Sequence, residues 1–233
     1  MKNNQETVLI IVSHPDDEVL GMGGTICYHK KLRHKIFAMY FSDGISSRDV
    51  RLDDNIKIAI NKRKIASEKA AKILGFEWVY RGNFPDNLMD KEPILKYIKE
   101  IEKIKKKIKP SIVYTHSPSD LNIDHRIASS ATFSAFRPQP DEKCKEISTF
   151  EIPSSTDYSH HKLFGSFNPN KFIDIKPFIQ KKIEALKSYK NEIRSYPHTR
   201  SLKGIKELSQ YRGKQVGLEY AEAFELLRNI VKL

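Results

Sequence analysis

The apolar residues of the first two thirds of the chain alternate between short β-rich runs and longer stretches with helical spacing. Short runs of this kind predict strands, and amphipathic stretches predict helices. The predicted strands are TVLIIVS, KIFAMYFSDG, EWVYRGN and SIVYTHS, and the helices between them are EVLGMGGTICYHKKLR, NIKIAINKRKIASEKAAKILG and EPILKYIKEIEKIKKKIK. Strands that alternate with helices predict right-handed βαβ units and a mainly parallel sheet covered by helices. The expected fold class is therefore α/β and Rossmann-like.

The pattern becomes less regular in the last third of the chain. EISTFEIP and KFIDI are typical of strands, polar turns lie between them, and helix-rich sequence continues to the end. No internal repeat and no long linker separates a second domain. We therefore expect one domain over residues 1–233, with a βαβ core at about 7–140 and a C-terminal completion at about 141–233.

Composition narrows the class of protein. A hydrophobic fraction of 39% and a charged fraction of 30% suit a globular chain, and no apolar run approaches the roughly 20 residues that span a bilayer. The N-terminus lacks the apolar region and cleavage site of a signal peptide, so a cytoplasmic protein without a membrane span is expected. Cys27 and Cys144 lack CxxC spacing, so any metal must use nitrogen and oxygen ligands.

The net charge of +12 raises the question of an anionic partner such as nucleic acid. Much of this charge is diffuse. The segment YIKEIEKIKKKIKP places lysines between isoleucines at helical spacing, which is typical of a solvated helix face. We therefore expect no nucleic-acid partner.

The segment SHPDDEVLGMGG, residues 13–24, places a histidine and three carboxylates directly after a buried strand. Ligands of parallel sheets bind beyond the carboxyl ends of the strands. In a tight turn that enters a helix, His14 and Asp17 can converge while Asp16 projects elsewhere. Helix capping by Ser13 or Asp16 is the alternative, but it does not require His14. The carboxylates would repel a pyrophosphate, so a cation is the expected guest.

A second polar cluster follows the strand SIVYTHS. Asp124 and His125, in PSDLNIDHR, begin a predicted helix at another strand end, and His125 could supply a third ligand. Two histidines and one carboxylate can bind Zn²⁺ and leave the fourth position to water, as in hydrolytic sites. The same ligand set also suits Fe²⁺.

With these motifs the chain resembles the PIG-L/LmbE-like zinc-dependent deacetylases, which remove N-acetyl groups from glucosamine-containing sugars. SHPDDEVLGMGGTI matches the HPDDE motif of the family and the helix after it, and LNIDHR matches its later DH motif. Weaker similarity extends through RKIASEKAAKILGF, FPDNL, SYPHTRS and YRGKQVGLEYAEAF. The resemblance implies a Rossmann-like fold and a small-molecule amino-sugar substrate.

Matched by position, the resemblance implies that His14, Asp17 and His125 bind the metal and that Asp16 is the general base. The base would take a proton from water as it attacks the amide carbonyl.

Supporting roles follow from the same motifs. Asp124 precedes a ligand histidine and is expected to orient a neighbouring imidazole, and Glu18 is expected to support the site from behind the ligands. Arg63 and Asp86 match positions whose counterparts in the family contact sugar hydroxyls. Each has an ordinary alternative, since Arg63 lies on an amphipathic helix and Asp86 follows a proline in a predicted turn.

One position departs from the family pattern. Many members have a histidine three residues before the final ligand, where this chain has Asn122. An amide can donate a hydrogen bond to an oxyanion but cannot act as a titrating acid near neutral pH. His198, in YPHTRS, is the candidate for that acid, and His116 is its rival.

The leading hypothesis is a metal-dependent N-deacetylase that acts on an amino-sugar derivative. One alternative is a metal amidase that cleaves another amide, such as a sugar-linked thiol conjugate. The other is a noncatalytic protein whose basic surface binds a polyanion, which would explain the charge but leave the His/Asp arrangement without a role. The sequence does not indicate the oligomeric state.

Overall fold

A computed structural model describes residues 5–48 and 54–231 of the chain. The strands of the described residues are β1 (Thr7–Val12), β2 (Lys35–Ser42), β3 (Glu77–Phe84), β4 (Ile112–His116), β5 (Glu146–Phe150), β6 (Lys171–Asp174) and β7 (Ala221–Asn229). They form one seven-stranded sheet in the order β3-β2-β1-β4-β5-β7-β6. The first five strands of this order pair in parallel, whereas β7 pairs antiparallel with both β5 and β6. The predicted α/β class with a mainly parallel sheet is confirmed.

Helices cover both faces of the sheet. They are α1 (Asp17–Lys31), α2 (Asp54–Leu74), α3 (Ile94–Ile108), α4 (Ile123–Ala135), α5 (His161–Phe164), α6 (Ile179–Leu186) and α7 (Leu202–Lys214). Apolar residues of α1, α2, α6 and α7 pack on one face, and those of α3 and α4 pack on the other. In the described part of the chain, no helix combines the length and the apolar character needed to cross a bilayer.

Strand β1 is the centre of the core. Val8, Ile10 and Val12 join the cluster on the α1 face, whereas Leu9 and Ile11 join the cluster on the α3 face. All five side chains are fully buried. Successive side chains of a strand point to opposite faces, so a continuous apolar run is what a strand covered on both sides requires.

The end of the chain corrects the sequence prediction. We expected helix-rich sequence to the C-terminus, but after α7 the chain forms β7 between β5 and β6. The segment AEAFELLRN contains many good helix formers. Its place between two strands supplies hydrogen-bond partners on both sides, and tertiary contacts of this kind override local propensity.

The lysine-rich helix α3 has the predicted solvated face. Ion pairs on this face join Lys99 to Glu102 and Lys103 to Glu100. Its opposite face is buried against the sheet through Tyr97, Ile98, Ile101 and Ile104. Exposed pairs of this kind contribute little to stability, and here they also neutralise part of the local positive charge.

Helix α1 is kinked at Met22, where φ is −149° and ψ is 25°. The backbone N–H groups of Gly24 and Thr25 donate hydrogen bonds to the Glu222 carboxylate, at 2.9 and 2.6 Å. Lys182 Nζ pairs with the same carboxylate at 2.6 Å. The kink is therefore stabilised by a buried and fully partnered ion pair.

The glycines of GMGG allow α1 to pack closely against its neighbours. A Cβ atom on Gly21 would lie 2.4 Å from the Phe150 ring, and one on Gly24 would lie 2.6 Å from Ile175. Any larger residue would push α1 away from the sheet. This close packing holds the first turn of α1 at the end of β1.

Candidate metal centre

The two predicted polar clusters meet at the carboxyl edge of the sheet. Strands β1 and β4 are parallel neighbours, so the turns that follow Val12 and His116 start side by side. The backbone N–H of Ser13 donates a hydrogen bond of 2.9 Å to His116 Nε2 and ties the two turns together. The topology therefore brings residues 13–18 next to residues 117–125.

Three buried side chains form a group of potential metal ligands. One donor atom from each of His14, Asp17 and His125 lies within 4.8 Å of the other two. Asp17 Oδ2 is 3.5 Å from His14 Nδ1 and 3.5 Å from His125 Nε2. Ligands held at about 2.0–2.1 Å in a tetrahedral zinc site stand roughly 3.4 Å apart, so the two distances from Asp17 Oδ2 suit a small divalent cation.

His14 is oriented by carboxylates on the side away from Asp17. Its Nε2 atom lies 3.1 Å from Asp124 Oδ2 and 3.1 Å from Asp86 Oδ1. Asp124 is itself held by the backbone N–H groups of Asn87 and Met89, at 2.8 and 3.1 Å. His14, Asp86 and Asp124 are a second oxygen-rich group that could hold a cation, but hydrogen bonding to the imidazole already accounts for their spacing.

His125 faces a carboxylate that the sequence analysis did not identify. Its Nδ1 atom lies 3.2 Å from Oδ1 of the buried residue Asp120. Burial acts to raise the pKa of Asp120, but His125 and two hydroxyl donors outweigh it and hold the pKa below its ordinary value. Its position in the sequence could have identified Asp120 as a site residue, because it lies in the same strand-end turn as the DH motif.

Asp16 lies beside the donor group in an unusual backbone conformation. Its φ of 126° is rare for a residue other than glycine, and such strain concentrates at functional sites. Oδ1 is 3.4 Å from an Arg63 nitrogen and Oδ2 is 3.5 Å from an Arg200 nitrogen. Among the described residues the buried Oδ2 makes no hydrogen bond. Burial raises the pKa of Asp16 to about 6, although the charge of Arg63 opposes this shift.

Glu18 supports the backbone at Asp16. It accepts a hydrogen bond of 2.9 Å from the Asp16 N–H and one of 2.6 Å from the Tyr189 hydroxyl. Burial raises the pKa of Glu18 to about 8. Tyr189 was not identified from the sequence, because no motif marks that part of the chain.

The two predicted sugar contacts are buried next to the donor group. Arg63 pairs with Glu192 at 2.7 Å, and Asp86 accepts hydrogen bonds from the Ser47 N–H and hydroxyl. Both therefore have protein partners, and a substrate contact stays a prediction for each. Glu192 was also missed, since it lies outside the matched segments, three residues before SYPHTRS.

Asn122, the residue that departs from the family pattern, caps helix α4. Its side-chain oxygen accepts a hydrogen bond of 2.8 Å from the Asp124 N–H, and its amide nitrogen donates to Asn87 at 3.1 Å. Both ends of the amide thus have protein partners.

The two candidate acids occupy different places. His198 is partly buried and accepts a hydrogen bond of 3.0 Å from the N–H of Arg200, the residue that contacts Asp16. His116 is fully buried, and its ring stacks on His125 with 3.9 Å between centroids. Burial lowers the pKa of His116 to about 4, so this ring is neutral near pH 7 and suits packing better than acid catalysis.

Comparisons with known proteins identify the family of the chain. The sequence profile of the family described as GlcNAc-PI de-N-acetylase (PIG-L) matches residues 9–136. A curated relative, the diacetylchitobiose deacetylase of Thermococcus kodakarensis, is 27% identical over 98% of this chain and 85% of its own length.

Solved structures share the fold. The N,N′-diacetylchitobiose deacetylase of Pyrococcus horikoshii, solved with an inhibitor, has a TM-score of 0.76 at 22% identity, over 97% of this chain and 85% of that one. GalB of Pseudomonas putida, a 4-carboxy-2-hydroxymuconate hydratase, has a TM-score of 0.74 at 19% identity, over 98% of this chain and 99% of that one. Because a hydratase has this fold as well, the fold alone does not identify the reaction.

Proposed function

Because the chain belongs to the GlcNAc-PI de-N-acetylase family, as its motifs predicted, we propose that it is a metal-dependent hydrolase that removes an N-acetyl group from an amino-sugar derivative. The observation that carries the proposal is the buried donor group of His14, Asp17 and His125 with the Asp16 carboxylate beside it, whose Oδ2 atom makes no hydrogen bond among the described residues. The name of the Thermococcus relative supports a substrate of the N-acetylglucosamine type.

The donor set defines the cofactor that the site would take. His14, Asp17 and His125 would hold a divalent ion, with Zn²⁺ as the expected metal and Fe²⁺ as the alternative that the same ligands suit. A bound ion of this kind supplies Lewis acidity, which lowers the pKa of water and polarises the amide carbonyl.

Asp16 would move the proton during hydrolysis. Its Oδ2 atom is buried, lies 3.5 Å from an Arg200 nitrogen and makes no hydrogen bond among the described residues, so it can accept a proton from the water that attacks the carbonyl carbon. The protonated carboxyl can return this proton to the amide nitrogen as the C–N bond breaks. The products are acetate and the free amine of the sugar.

Arg63 and Arg200 would keep Asp16 in place during this transfer. Each contacts a different oxygen of the Asp16 carboxylate. Arg63 is also paired with Glu192, so its position does not depend on Asp16 alone. With Arg63 directed at Asp16 and Asp86 directed at His14, we expect both residues to position the reacting groups in addition to any contact with a sugar hydroxyl.

Metal analysis combined with an activity panel tests the proposal. We expect the purified wild type to contain about one divalent ion per chain and to release acetate from N-acetylglucosamine or diacetylchitobiose. His14→Ala should lose the ion and the activity together. Glu207→Gln, which changes an exposed carboxylate to an amide, should keep both.

The same experiment distinguishes the alternatives. Cleavage of sugar-linked thiol conjugates without acetate release from the N-acetylated sugars would indicate a different metal amidase. A wild type that contains no metal and binds polyanions with steep salt dependence would contradict the enzymatic proposal.

A further inference from the structure

A buried polar network lies behind His125, on the side away from the donor group. Asp120, in the turn between β4 and α4, is fully buried. Its Oδ1 atom is 3.2 Å from His125 Nδ1, an ion-pair distance at which the two groups are not aligned as a hydrogen bond, while His125 Nε2 on the far side of the ring is 3.5 Å from Asp17 Oδ2. The imidazole therefore stands between Asp120 and the proposed metal position.

Asp120 is itself held by three donors. The Ser155 hydroxyl and the Asn122 N–H donate to its Oδ1 atom, the latter at 2.8 Å, and the Thr156 hydroxyl donates to Oδ2 at 2.6 Å. Both carboxylate oxygens are thus anchored in the interior. Rotating the carboxylate away from His125 would leave these buried groups unpaired, which is costly.

The chemistry of imidazole gives this contact a consequence. A neutral histidine that coordinates a metal through Nε2 carries its proton on Nδ1, and a carboxylate that faces Nδ1 stabilises this tautomer. His14 shows the reciprocal arrangement, because its Nδ1 faces Asp17 and its Nε2 faces Asp124. Each histidine therefore has one nitrogen turned towards Asp17 and the other turned towards a buried carboxylate.

We propose that Asp120 is a positioning residue that sets the tautomer and orientation of His125, and that Ser155 and Thr156 hold Asp120 in place. The inference rests on the proposed metal centre and extends it. Ser155 and Thr156 belong to the segment that joins β5 to α5, so this segment contributes to the metal affinity of the site without contacting the metal.

Zinc affinity measured by competition with a chromophoric chelator tests the inference on the full chain. Asp120→Asn should bind zinc about 10- to 100-fold more weakly than the wild type, because a neutral amide stabilises the Nδ1–H tautomer less than a carboxylate does. The matched control is Glu222→Gln, the same chemical change in the buried pair with Lys182 at the kink of α1. This control should lower stability and keep the zinc affinity.

Two further measurements separate positioning from a general loss of structure. Cobalt-loaded Asp120→Asn should show a changed visible spectrum, because the ligand geometry at His125 changes, whereas cobalt-loaded Glu222→Gln should match the wild type. Ser155→Ala keeps the carboxylate and removes one of its donors. It should weaken zinc binding by less than Asp120→Asn does, and it provides a test if Asp120→Asn does not fold.

The outcomes distinguish this inference from the proposed function. Equal zinc affinity in the wild type and in folded Asp120→Asn would overturn the role of Asp120 and leave the metal centre intact. If Asp120→Asn does not fold, wild-type zinc affinity in Ser155→Ala would overturn it instead. A wild type that takes up neither zinc nor cobalt would contradict the proposed function itself.

Discussion

Helix α1 connects two buried clusters of charge that differ in how completely they are partnered. At the kink, both oxygens of Glu222 accept backbone N–H groups, and Lys182 donates both to Glu222 and to the Leu20 carbonyl. At the start of the helix, Asp16 Oδ2 makes no hydrogen bond among the described residues, and His14 Nδ1 and His125 Nε2 each lie 3.5 Å from Asp17 Oδ2.

The difference separates a structural cluster from a candidate site. A buried charge is tolerated when hydrogen bonds and a counter-ion satisfy it, as at the kink. At the start of the helix, by contrast, a buried polar atom has no hydrogen bond and a carboxylate faces each histidine. This arrangement indicates that a bound ion or substrate completes the cluster. Asp16 lies in the HPDDE motif and Glu222 in a segment of weaker similarity, and their contacts show the difference in partnering.

The largest effect is expected from Asp16→Asn. Loss of the general base should reduce the rate of acetate release by about 10²- to 10⁴-fold. Asparagine tolerates positive φ better than most residues, so the fold should persist. The metal content should stay at the wild-type level. Wild-type activity in this variant would show that another group takes the proton.

Lys182→Met tests the other cluster. Removing one partner of a buried pair leaves Glu222 uncompensated, and we expect a loss of about 3–5 kcal/mol in the free energy of unfolding. Urea denaturation measures this loss, and metal analysis of the folded fraction should show the wild-type content. Combining Lys182→Met with Glu222→Gln should recover part of the stability. If Lys182→Met lost metal but kept its stability, the cluster at the kink would belong to the metal site and would not be purely structural.

A third buried polar group, near the end of α1, is expected to make the stability of the fold depend on pH. His29 contacts the Tyr114 hydroxyl at 3.0 Å and His34 Nδ1 at 2.9 Å, and burial lowers its pKa to about 3. Below about pH 6.5 the unfolded chain takes up a proton at His29 that the folded chain does not, so stability falls as the pH falls towards 3. At pH 5 this histidine should reduce stability by about 2 kcal/mol relative to neutral pH.

Denaturant unfolding of the wild type and His29→Gln at pH 7 and pH 5 measures this contribution. The variant should lose less stability between the two pH values than the wild type does. Equal losses would mean that His29 takes up its proton in the folded state as well.

The smallest effect is expected at Asn122. Asn122→Ala removes the cap of α4 and should cost about 1 kcal/mol of stability, whereas Asn122→Ser keeps a capping oxygen and should cost less. Thermal unfolding ranks the two variants. A large fall in acetate release in the stable serine variant would assign the Asn122 amide to the substrate, despite its contact with Asn87.

Much of the fold followed from local pattern. The continuous apolar run of β1 predicts a strand that is covered on both faces. The apolar residues of α3 recur at helical spacing and predict a helix that is buried on one face. The strand β7 could not be predicted in this way. Its helix-forming residues become a strand because β5 and β6 offer backbone partners on both sides.

The candidate site divides in the same manner. The donor group of His14, Asp17 and His125 could be proposed from two motifs, because each follows a strand end and the carboxyl ends of parallel strands share one edge. Asp120, Tyr189 and Glu192 could not be assigned, because each acts through a contact with a residue that is distant in sequence or separated from it by a turn.

By itself, the sequence determined the α/β class, the family and the residue types offered to a cation, because hydrophobic period and motif spacing are local properties of the chain. Only the tertiary structure decided which polar atoms are satisfied and which stay available. That distinction depends on distances between separate segments: it makes Glu222 part of the scaffold, leaves Asp16 Oδ2 without a hydrogen bond among the described residues, and places Asp120 behind His125.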